Sequence, residues 1–208
     1  MKKKILLGIA IVAVLAFVFW CGGDAPGLRG FETEKSTPTA TDKYKTAPIP
    51  EGKPKPIEPQ NVEISDKQYT CTLSVRCDTV LDNIEWLGKD KVELVPKDGV
   101  IYAEREVTFY EGESVFDLLL REMKQNKIHM EFVNTPIYNS AYIEGINNLY
   151  EFDCGERSGW MYKVNGWFPN YGCSRYGLKE GDRVEWVYTC NLGDDVGGGN
   201  FAGEQADE

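Results

Sequence analysis

The segment from 158 to 188, which reads SGWMYKVNGWFPNYGCSRYGLKEGDRVEWVY, constrains the fold of this chain more than any other part. Residues 159–164 alternate between the two faces of a strand. The Asn165-Gly166 dipeptide that follows is typical of a tight turn, because both residues accept positive φ. A second alternating strand is predicted from Arg183 to Cys190. The segment therefore predicts a strand, a turn, an aromatic loop and a closing strand, which together indicate a binding or packing module.

The N-terminus has the pattern of an export or membrane segment. Three lysines precede an apolar run from Ile5 to Trp20, which is long for a signal peptide and slightly short of the ~20 residues of a membrane-spanning helix. Bulky residues at 18–20 disfavour cleavage and also lipidation of Cys21, so we expect residues 1–21 to be retained as a membrane anchor. Lipidation of Cys21 is the next alternative, and cleavage is the third. The basic N-terminus favours the cytoplasm, which places the rest of the chain on the extracytoplasmic side.

Composition divides the exported part into three. Residues 22–65 are rich in Pro, Thr, Lys and Glu and poor in apolar side chains, which predicts a disordered, extended stalk. Residues 66–193 are long enough for one hydrophobic core and too short for two typical domains. Residues 194–208 are predicted to form a disordered, acidic, Gly-rich tail. The formal net charge of −10 argues against a nucleic-acid partner.

The cysteines indicate disulfides rather than a structural zinc site. The chain has no Cys-x-x-Cys pair and a single histidine, which is a poor ligand set for zinc. A Cys154–Cys173 disulfide is predicted, because these residues flank the strand at 159–164. A Cys77–Cys190 disulfide is a second hypothesis, since these residues end the first and last predicted strands.

The rest of the pattern predicts one principal helix among several strands. Ser114 is the expected N-cap of a helix from 115 to 126, with Asp117 at the capping-box position. Around this helix we predict a short helix at 78–87 and strands at 69–77, 100–110, 128–133, 141–146 and 148–153. One main helix packed on strands gives an α+β fold class.

No catalytic motif is recognisable in the chain. There is no Gly-x-Ser-x-Gly elbow and no phosphate-binding loop of the Gly-x-x-x-x-Gly-Lys type. The single histidine, His129, has no partner cysteine that the sequence can assign to it. We therefore predict that the protein is not an enzyme. Asp194 and Asp195 precede a glycine run and offer oxygen ligands for calcium, although the fuller EF-hand spacing is absent.

Four motifs together carry a resemblance to a known family. They are EGESVFDLL at 111–119, AYIEGI at 141–146, SGWMYKVNG at 158–166 and GDRVEW at 181–186. In this order they resemble the bacterial surface domains of unknown function that are similar to the C-terminal β-domain of transcobalamin and intrinsic factor. The resemblance extends from Tyr69 to Asn191, which is nearly all of the predicted domain.

The resemblance implies a β-grasp-like sheet with one main packed helix. In the vitamin carriers this domain covers one face of cobalamin, and the Trp-containing strand with its Asn-Gly turn lies near the ligand. That points here to Trp160, Tyr162, Asn165 and Gly166. The carriers complete the site with a large helical barrel, for which this chain has no length. Some bacterial relatives are described only as candidate metal-binding proteins.

The aromatic loop after the Asn-Gly turn adds Trp167 and Tyr171 to the predicted ligand platform. These aromatic residues also have a structural alternative, since the alternation of Trp160 and Tyr162 fits packing in the core equally well. We therefore expect a membrane-anchored extracytoplasmic binding module for a corrinoid or another small ligand. A structural or adhesion domain that contacts surface proteins is the first alternative, and a metal-binding surface domain is the second.

Overall fold

The structure is a computed structural model, and it describes residues 43, 44 and 46–199. The predicted anchor at 1–21, the lipidation candidate Cys21, the first part of the predicted stalk and most of the predicted tail lie outside the described residues. Within the part that is described, no helix has both the length and the apolar character needed to cross a membrane.

Seven strands and two α-helices form the described domain. The strands are β1 (Gln68–Arg76), β2 (Val100–Tyr110), β3 (Met130–Thr135), β4 (Ser140–Ile146), β5 (Leu149–Tyr150), β6 (Gly159–Val164) and β7 (Arg183–Thr189). The helices are α1 (Asp78–Leu81) and α2 (Val115–Gln125). Short 3₁₀ turns lie at Pro59–Asn61, Ile84–Trp86, Val92–Leu94, Cys173–Arg175 and Asp194–Val196.

The strands are divided between two sheets. The larger sheet has the order β2-β1-β7-β6, in which β1 and β7 are parallel and the other neighbours are antiparallel. The smaller sheet has the order β3-β4-β5 and is antiparallel. The predicted α+β class is correct, with strands predominating. The second sheet was not predicted. Its successive strands are joined by tight turns at Asn139 and at Asn147-Asn148, and all three residues adopt positive φ.

Helix α2 matches its prediction closely. Ser114 accepts a hydrogen bond from the backbone N–H of Asp117, and the Asp117 carboxylate accepts one from the N–H of Ser114, which completes a capping box. The buried side of the helix presents Leu118, Leu119 and Met123 to the core, where all three side chains are fully buried. The helix therefore buries one apolar stripe, and Glu122, the polar residue buried with it, accepts a hydrogen bond from the Tyr102 hydroxyl at 2.8 Å.

The helix predicted at 78–87 is shorter in the structure. Helix α1 ends at Leu81, and a separate 3₁₀ turn covers Ile84–Trp86. Between them Asn83 leaves helical geometry, with φ −129° and ψ 27°, and its side-chain amide donates to the carbonyl of Thr79 at 2.8 Å. Asparagine competes for backbone hydrogen bonds in this way, so the apolar spacing alone overestimated the helix.

Residues 46–58, which we call the strap, lie against the domain. They are mostly extended, as their prolines predict, with one turn at 51–53 in which Gly52 has positive φ, and Ile49 packs against the hydrophobic core. The contact continues to Ser65, whose N–H donates to the carbonyl of Glu111 at 3.0 Å. Composition assigned 46–65 to a free stalk because it holds little apolar surface. The segment is held chiefly by hydrogen bonds and one ion pair, which composition does not reveal.

Candidate functional site

The strand pair β6–β7 has two ends, and each end carries a different surface. One end leads into the connection at 165–182, which contains the predicted aromatic loop. At the other end, Gly159 pairs with Thr189, next to Cys190 and the turn at 151–158. These two ends are the candidate sites of the domain, and the end at 165–182 contains the residues that the sequence predicts.

Trp160 and Tyr162 belong to the core. Trp160 is 8% exposed and donates from its indole nitrogen to the carbonyl of Leu149 at 2.8 Å. Tyr162 is also 8% exposed and donates from its hydroxyl to the carbonyl of Tyr171 at 2.7 Å. Both side chains satisfy their polar atoms internally, as buried aromatic residues do. The structure thus places them where core packing predicts, rather than on a surface that a ligand can reach.

Asn165 and Gly166 form the predicted tight turn at the end of β6. Both have positive φ, 52° and 76°, which asparagine and glycine tolerate best. The Asn165 side chain donates to the Asp182 carboxylate at 2.8 Å and accepts from the N–H of Arg183 at 2.9 Å. Asn165 therefore ties the two ends of the connection together, and both of its polar functions are engaged in doing so.

Trp167 and Tyr171 do form part of an aromatic cluster, but the strap covers it. The rings of Tyr171 and Tyr176 stack with centroids 6.2 Å apart, and Trp167 meets Tyr171 edge-on at 6.0 Å. The Tyr171 hydroxyl donates to the carbonyl of Pro54 at 2.8 Å, and the ammonium of Lys53 lies 5.2 Å from the Trp167 ring centroid. Tyr171 is left only 7% exposed.

Arg175 anchors the strap and is almost completely buried, with 1% of its surface exposed. Its guanidinium donates to the Thr46 hydroxyl at 2.7 Å, the Ile57 carbonyl at 3.3 Å and the Glu58 carboxylate at 3.1 Å. The Arg175 carbonyl in turn accepts from the N–H of Ile57 at 2.8 Å. A buried guanidinium requires such partners, because an unpaired buried charge is strongly destabilising. We call the surface of Trp167, Asn170, Tyr171, Arg175 and Tyr176 the strapped face.

The five cysteines of the domain are buried free thiols, and neither predicted disulfide is present among the described residues. The Cys173 thiol donates to the Ala141 carbonyl at 3.5 Å, whereas the Cys154 thiol donates to the Asn83 carbonyl at 3.5 Å and contacts Cys190. Cys154 and Cys173 therefore have different neighbours, although they flank the same strand. Spacing along the chain identified the strand but not the direction in which each thiol points.

Burial also makes these thiols poor nucleophiles. Desolvation raises the pKa of Cys71, Cys77, Cys154 and Cys173 to about 12 in each case. Burial likewise raises the pKa of Cys190. Only the thiolate attacks electrophiles or binds metals readily, so these residues act as small core side chains at neutral pH.

The opposite end of β6–β7 is open and forms a cleft of about 610 Å³. We call it the open cleft. Its lining consists of Asn83, Trp86, Gly155, Glu156, Arg157, Cys190, Asn191 and Asp195. The Trp86 indole is 56% exposed, which sets it apart from the buried Trp160 and Trp186. The cleft thus combines one large flat apolar surface with an amide, a guanidinium and carboxylates.

Two bulky residues beside the open cleft have strained backbone. Phe152 has φ 66° and is 63% exposed, and Leu192 has φ 48° and is 44% exposed. The Leu192 N–H donates to the carbonyl of Arg157 at 2.9 Å, which joins the two loops that border the cleft. Side chains larger than Asn rarely adopt positive φ, and such strain is concentrated at functional sites.

Asp194 and Asp195, the weak calcium candidates, serve the local backbone. The Asp195 carboxylate accepts from the N–H of Cys190 at 2.7 Å and from the Thr189 hydroxyl. Asp194 accepts from the side-chain amide of Asn191 at 3.4 Å. Among the residues that the structure describes, no group of three or more His, Cys, Asp or Glu side chains is arranged to hold a metal ion.

Sequence reasoning did not identify Trp86 or Arg157 as site residues. One signal was present in the sequence: Val80, Leu81, Ile84 and Leu87 repeat at helical spacing within 78–87, and Trp86 falls outside this apolar stripe. A tryptophan off the buried stripe is expected to reach the surface. Arg157 carried no such signal, because its place in the cleft depends on how the 151–158 turn packs against Asn83 and Trp86.

Comparison with known proteins agrees with the predicted resemblance. Residues 112–190 match the sequence model of a family described as Domain of unknown function (DUF4430), which confirms the predicted resemblance over these residues. No curated protein matches the chain.

Two solved structures are similar to this one at low sequence identity. The first is haptocorrin in complex with Cbi, with 16% identity and a TM-score of 0.44, and the match covers 62% of this chain. This chain spans only 26% of the haptocorrin chain. The second is a candidate metal-binding protein of Ruminococcus gnavus, with 14% identity and a TM-score of 0.35, which covers 58% of this chain and 96% of that one.

Proposed function

We propose that the protein is a non-catalytic binding module, held on the extracytoplasmic side of the cell membrane by its N-terminal segment, and that the open cleft takes a small ligand. The observation that carries the proposal is the exposed indole of Trp86 on the wall of a cleft of about 610 Å³. Clefts of about 300–1,000 Å³ with a few convergent polar groups are typical of small-molecule sites.

The chemistry of the open cleft favours a flat ligand with a polar edge. An indole offers a face on which a planar ring system can stack. Asn83 and Asn191 can donate and accept hydrogen bonds, Arg157 donates them, and Glu156 accepts them. Arg157 and Glu156 are exposed at the rim of the cleft, so each can contact the polar edge of a ligand while its charge stays largely hydrated.

A corrinoid is the ligand that we propose first. It has a flat macrocycle and amide side chains that both donate and accept hydrogen bonds, which suits Trp86 and its polar neighbours. The cleft is open to solvent, so it would cover one face of so large a ligand. A second protein would have to cover the other face, as the helical barrel does in the vitamin carriers that the sequence resembles.

The proposal is tested by titrating the full chain, solubilised in detergent, with cobinamide and cobalamin while following tryptophan fluorescence. We expect saturable binding that the Trp86→Ala substitution weakens about tenfold, since an aromatic contact contributes about 1 kcal/mol beyond its buried area. The matched control is Trp167→Phe on the strapped face, which is expected to leave affinity unchanged. Absence of binding up to about 100 µM, equivalent to about 5.5 kcal/mol, would exclude the corrinoid.

A surface-contact function is the second candidate, and a different region favours it. The hairpin of β3 and β4 exposes the cross-strand partners Val133 and Tyr142, which are 42% and 44% exposed, and Ile137 at its tip, which is 61% exposed. Apolar residues grouped on one exposed hairpin are typical of protein-contact surfaces. If the hairpin is the functional surface, Val133→Thr with Ile137→Ser abolishes cross-linking of the anchored protein to other cell-surface proteins and leaves cobinamide titration unaffected.

A further inference from the structure

The strap is recognised mainly through its backbone carbonyls. The Asn170 amide donates to the carbonyl of Pro48 at 2.8 Å and to that of Ala47 at 3.3 Å. The Tyr171 hydroxyl donates to the carbonyl of Pro54 at 2.8 Å. The strap contains Pro48, Pro50, Pro54 and Pro56, whose nitrogens carry no hydrogen, so acceptor carbonyls are the main polar groups of its backbone.

Aromatic rings on the strapped face complete this mode of recognition. Tyr171 and Tyr176 stack at an interplanar angle of 20°, and Trp167 lies within 6.5 Å of Tyr176. Domains that bind extended proline-rich peptides do so with aromatic-lined grooves whose hydrogen-bond donors meet the peptide carbonyls. The strapped face has both features, and its ligand is a segment of its own chain.

One ion pair fixes the position of the segment along the groove. The Glu58 carboxylate lies 3.1 Å from the buried guanidinium of Arg175. Next to it, the Ile57 N–H donates to the Arg175 carbonyl, and the Ile57 carbonyl accepts from Nε of Arg175. The groove therefore recognises an acidic residue, Glu58, at the end of the proline-rich run. These contacts require a segment of this sequence, but none of them requires that the segment belong to the same molecule.

We propose that the strapped face is a recognition groove for a proline-rich segment that ends in a glutamate, and that it also takes the strap of a second copy of this chain. Every copy carries both the groove and the segment that fits it. Exchange of straps between two copies would make the same contacts in a closed, twofold arrangement, as in other domain swaps.

The connection between strap and domain can act as the hinge of this exchange. Six residues, 59–64, join Glu58 to Ser65, which is hydrogen-bonded to Glu111, and their regular structure is the short 3₁₀ turn at Pro59–Asn61. Fully extended, six residues span about 20 Å, so the exchange requires an adjoining domain whose groove lies within that reach. Copies held side by side on one membrane by the proposed anchor also meet at high effective concentration.

The experiment captures the strap covalently in the groove. Pro48→Cys and Asn170→Cys place thiols on two residues that are in contact through the Pro48 carbonyl and the Asn170 amide, in full-length chains that also carry Cys21→Ser. The two single variants are co-expressed with different affinity tags and treated in membranes with a short bis-maleimide. We expect a cross-linked dimer that carries both tags, and a lower yield of it when Tyr171→Phe removes the hydroxyl that donates to Pro54.

Two controls make the outcome decisive. The double variant with both thiols in one chain reports the contact itself, and Pro48→Cys paired with Glu106→Cys, on exposed β2, reports random collision. Mixed-tag dimers specific to the Asn170 pair support exchange. The proposal is overturned if the double variant cross-links internally while mixed-tag dimers are absent, if the Glu106 pair gives equal yield, or if the double variant does not cross-link at all. None of these results depends on a ligand in the open cleft.

Discussion

The two ends of the β6–β7 strand pair differ in their accessibility to solvent, and this difference is not apparent from their sequences. The end at 165–182 is rich in aromatic residues and looks like a binding platform, yet the strap covers it and Arg175 is sealed inside. The end at Cys190 has fewer aromatic residues near it in sequence, yet it carries an open cleft with an exposed tryptophan. Aromatic content along the chain therefore does not locate the accessible surface, because accessibility is decided by which distant segment lies on top.

The largest expected contrast between the two regions concerns tryptophan. Trp160→Ala removes a buried core side chain of β6 and should lower the free energy of unfolding by about 4 kcal/mol, because the cavity cannot close fully. Trp86→Ala removes a side chain that is 56% exposed and should lower it by less than about 1 kcal/mol. Urea unfolding of the full chain measures both. Equal losses would mean that Trp86 is a packing residue and that the cleft has no functional indole.

Arginine gives the second contrast. Arg175→Ala leaves Glu58 and Thr46 without their partner and should destabilise the protein by about 3 kcal/mol, the scale for breaking a buried ion pair. The matched substitution Arg157→Ala at the open cleft affects an exposed side chain and should change stability by less than about 0.5 kcal/mol. Limited proteolysis of residues 46–58 should accelerate in Arg175→Ala alone. A strap that stays protected in this variant would show that Arg175 is not its anchor.

A single hydroxyl gives a smaller contrast. Tyr171→Phe deletes the hydrogen bond to the carbonyl of Pro54 and should cost about 1 kcal/mol. Tyr138→Phe, at a tyrosine that is 39% exposed on the β3–β4 hairpin, should be neutral within about 0.5 kcal/mol. Thermal unfolding of the two variants in parallel checks the difference, and identical melting temperatures would argue that the strap does not depend on Tyr171.

The free energy of unfolding should fall gradually at alkaline pH, because buried thiols in different parts of the domain contribute to it. Burial raises the pKa of Cys77 and Cys173 from 9.0 to about 12, so the unfolded state binds fewer protons than the native state between these values. The free energy of unfolding therefore falls as pH rises from 9 towards 12, and it is unaffected by these thiols below pH 9. Cys77→Ala should reduce the difference between the free energies of unfolding that denaturant titrations give at pH 8 and at pH 10. Rapid alkylation of the native protein at pH 8 would contradict the burial of the thiols.

The sequence predicted the local elements better than the surfaces. The β6–β7 strands, the Asn165-Gly166 turn and the Ser114 capping box depend on neighbouring residues, and all three were correct. The strap, the division into two sheets and the pairing of thiols depend on contacts between residues far apart in the chain, to which alternation and composition are insensitive. Trp86 lay within reach of sequence reasoning, since it is off the apolar stripe of its own predicted helix.

The boundary of the folded part has a practical consequence. A domain cut at residue 66, as composition suggested, would lack the strap and would leave Arg175 without Thr46, Ile57 and Glu58. Such a fragment would also expose Trp167 and Tyr171, and a ligand would then bind to this uncovered surface instead of the open cleft. The full chain is therefore the appropriate material for every test of the open cleft.

Hydroxyl-radical footprinting of the full chain tests the difference between the two ends most directly. Oxidation at each aromatic residue, read by mass spectrometry at low dose, reports the access of water to that side chain. The structure predicts fast oxidation of Trp86 and Phe152, which are 56% and 63% exposed, and strong protection of Trp160 and Tyr171, which are 8% and 7% exposed. Oxidation of Tyr171 as fast as that of Trp86 would contradict the account, because the aromatic loop would then be the open surface of the domain.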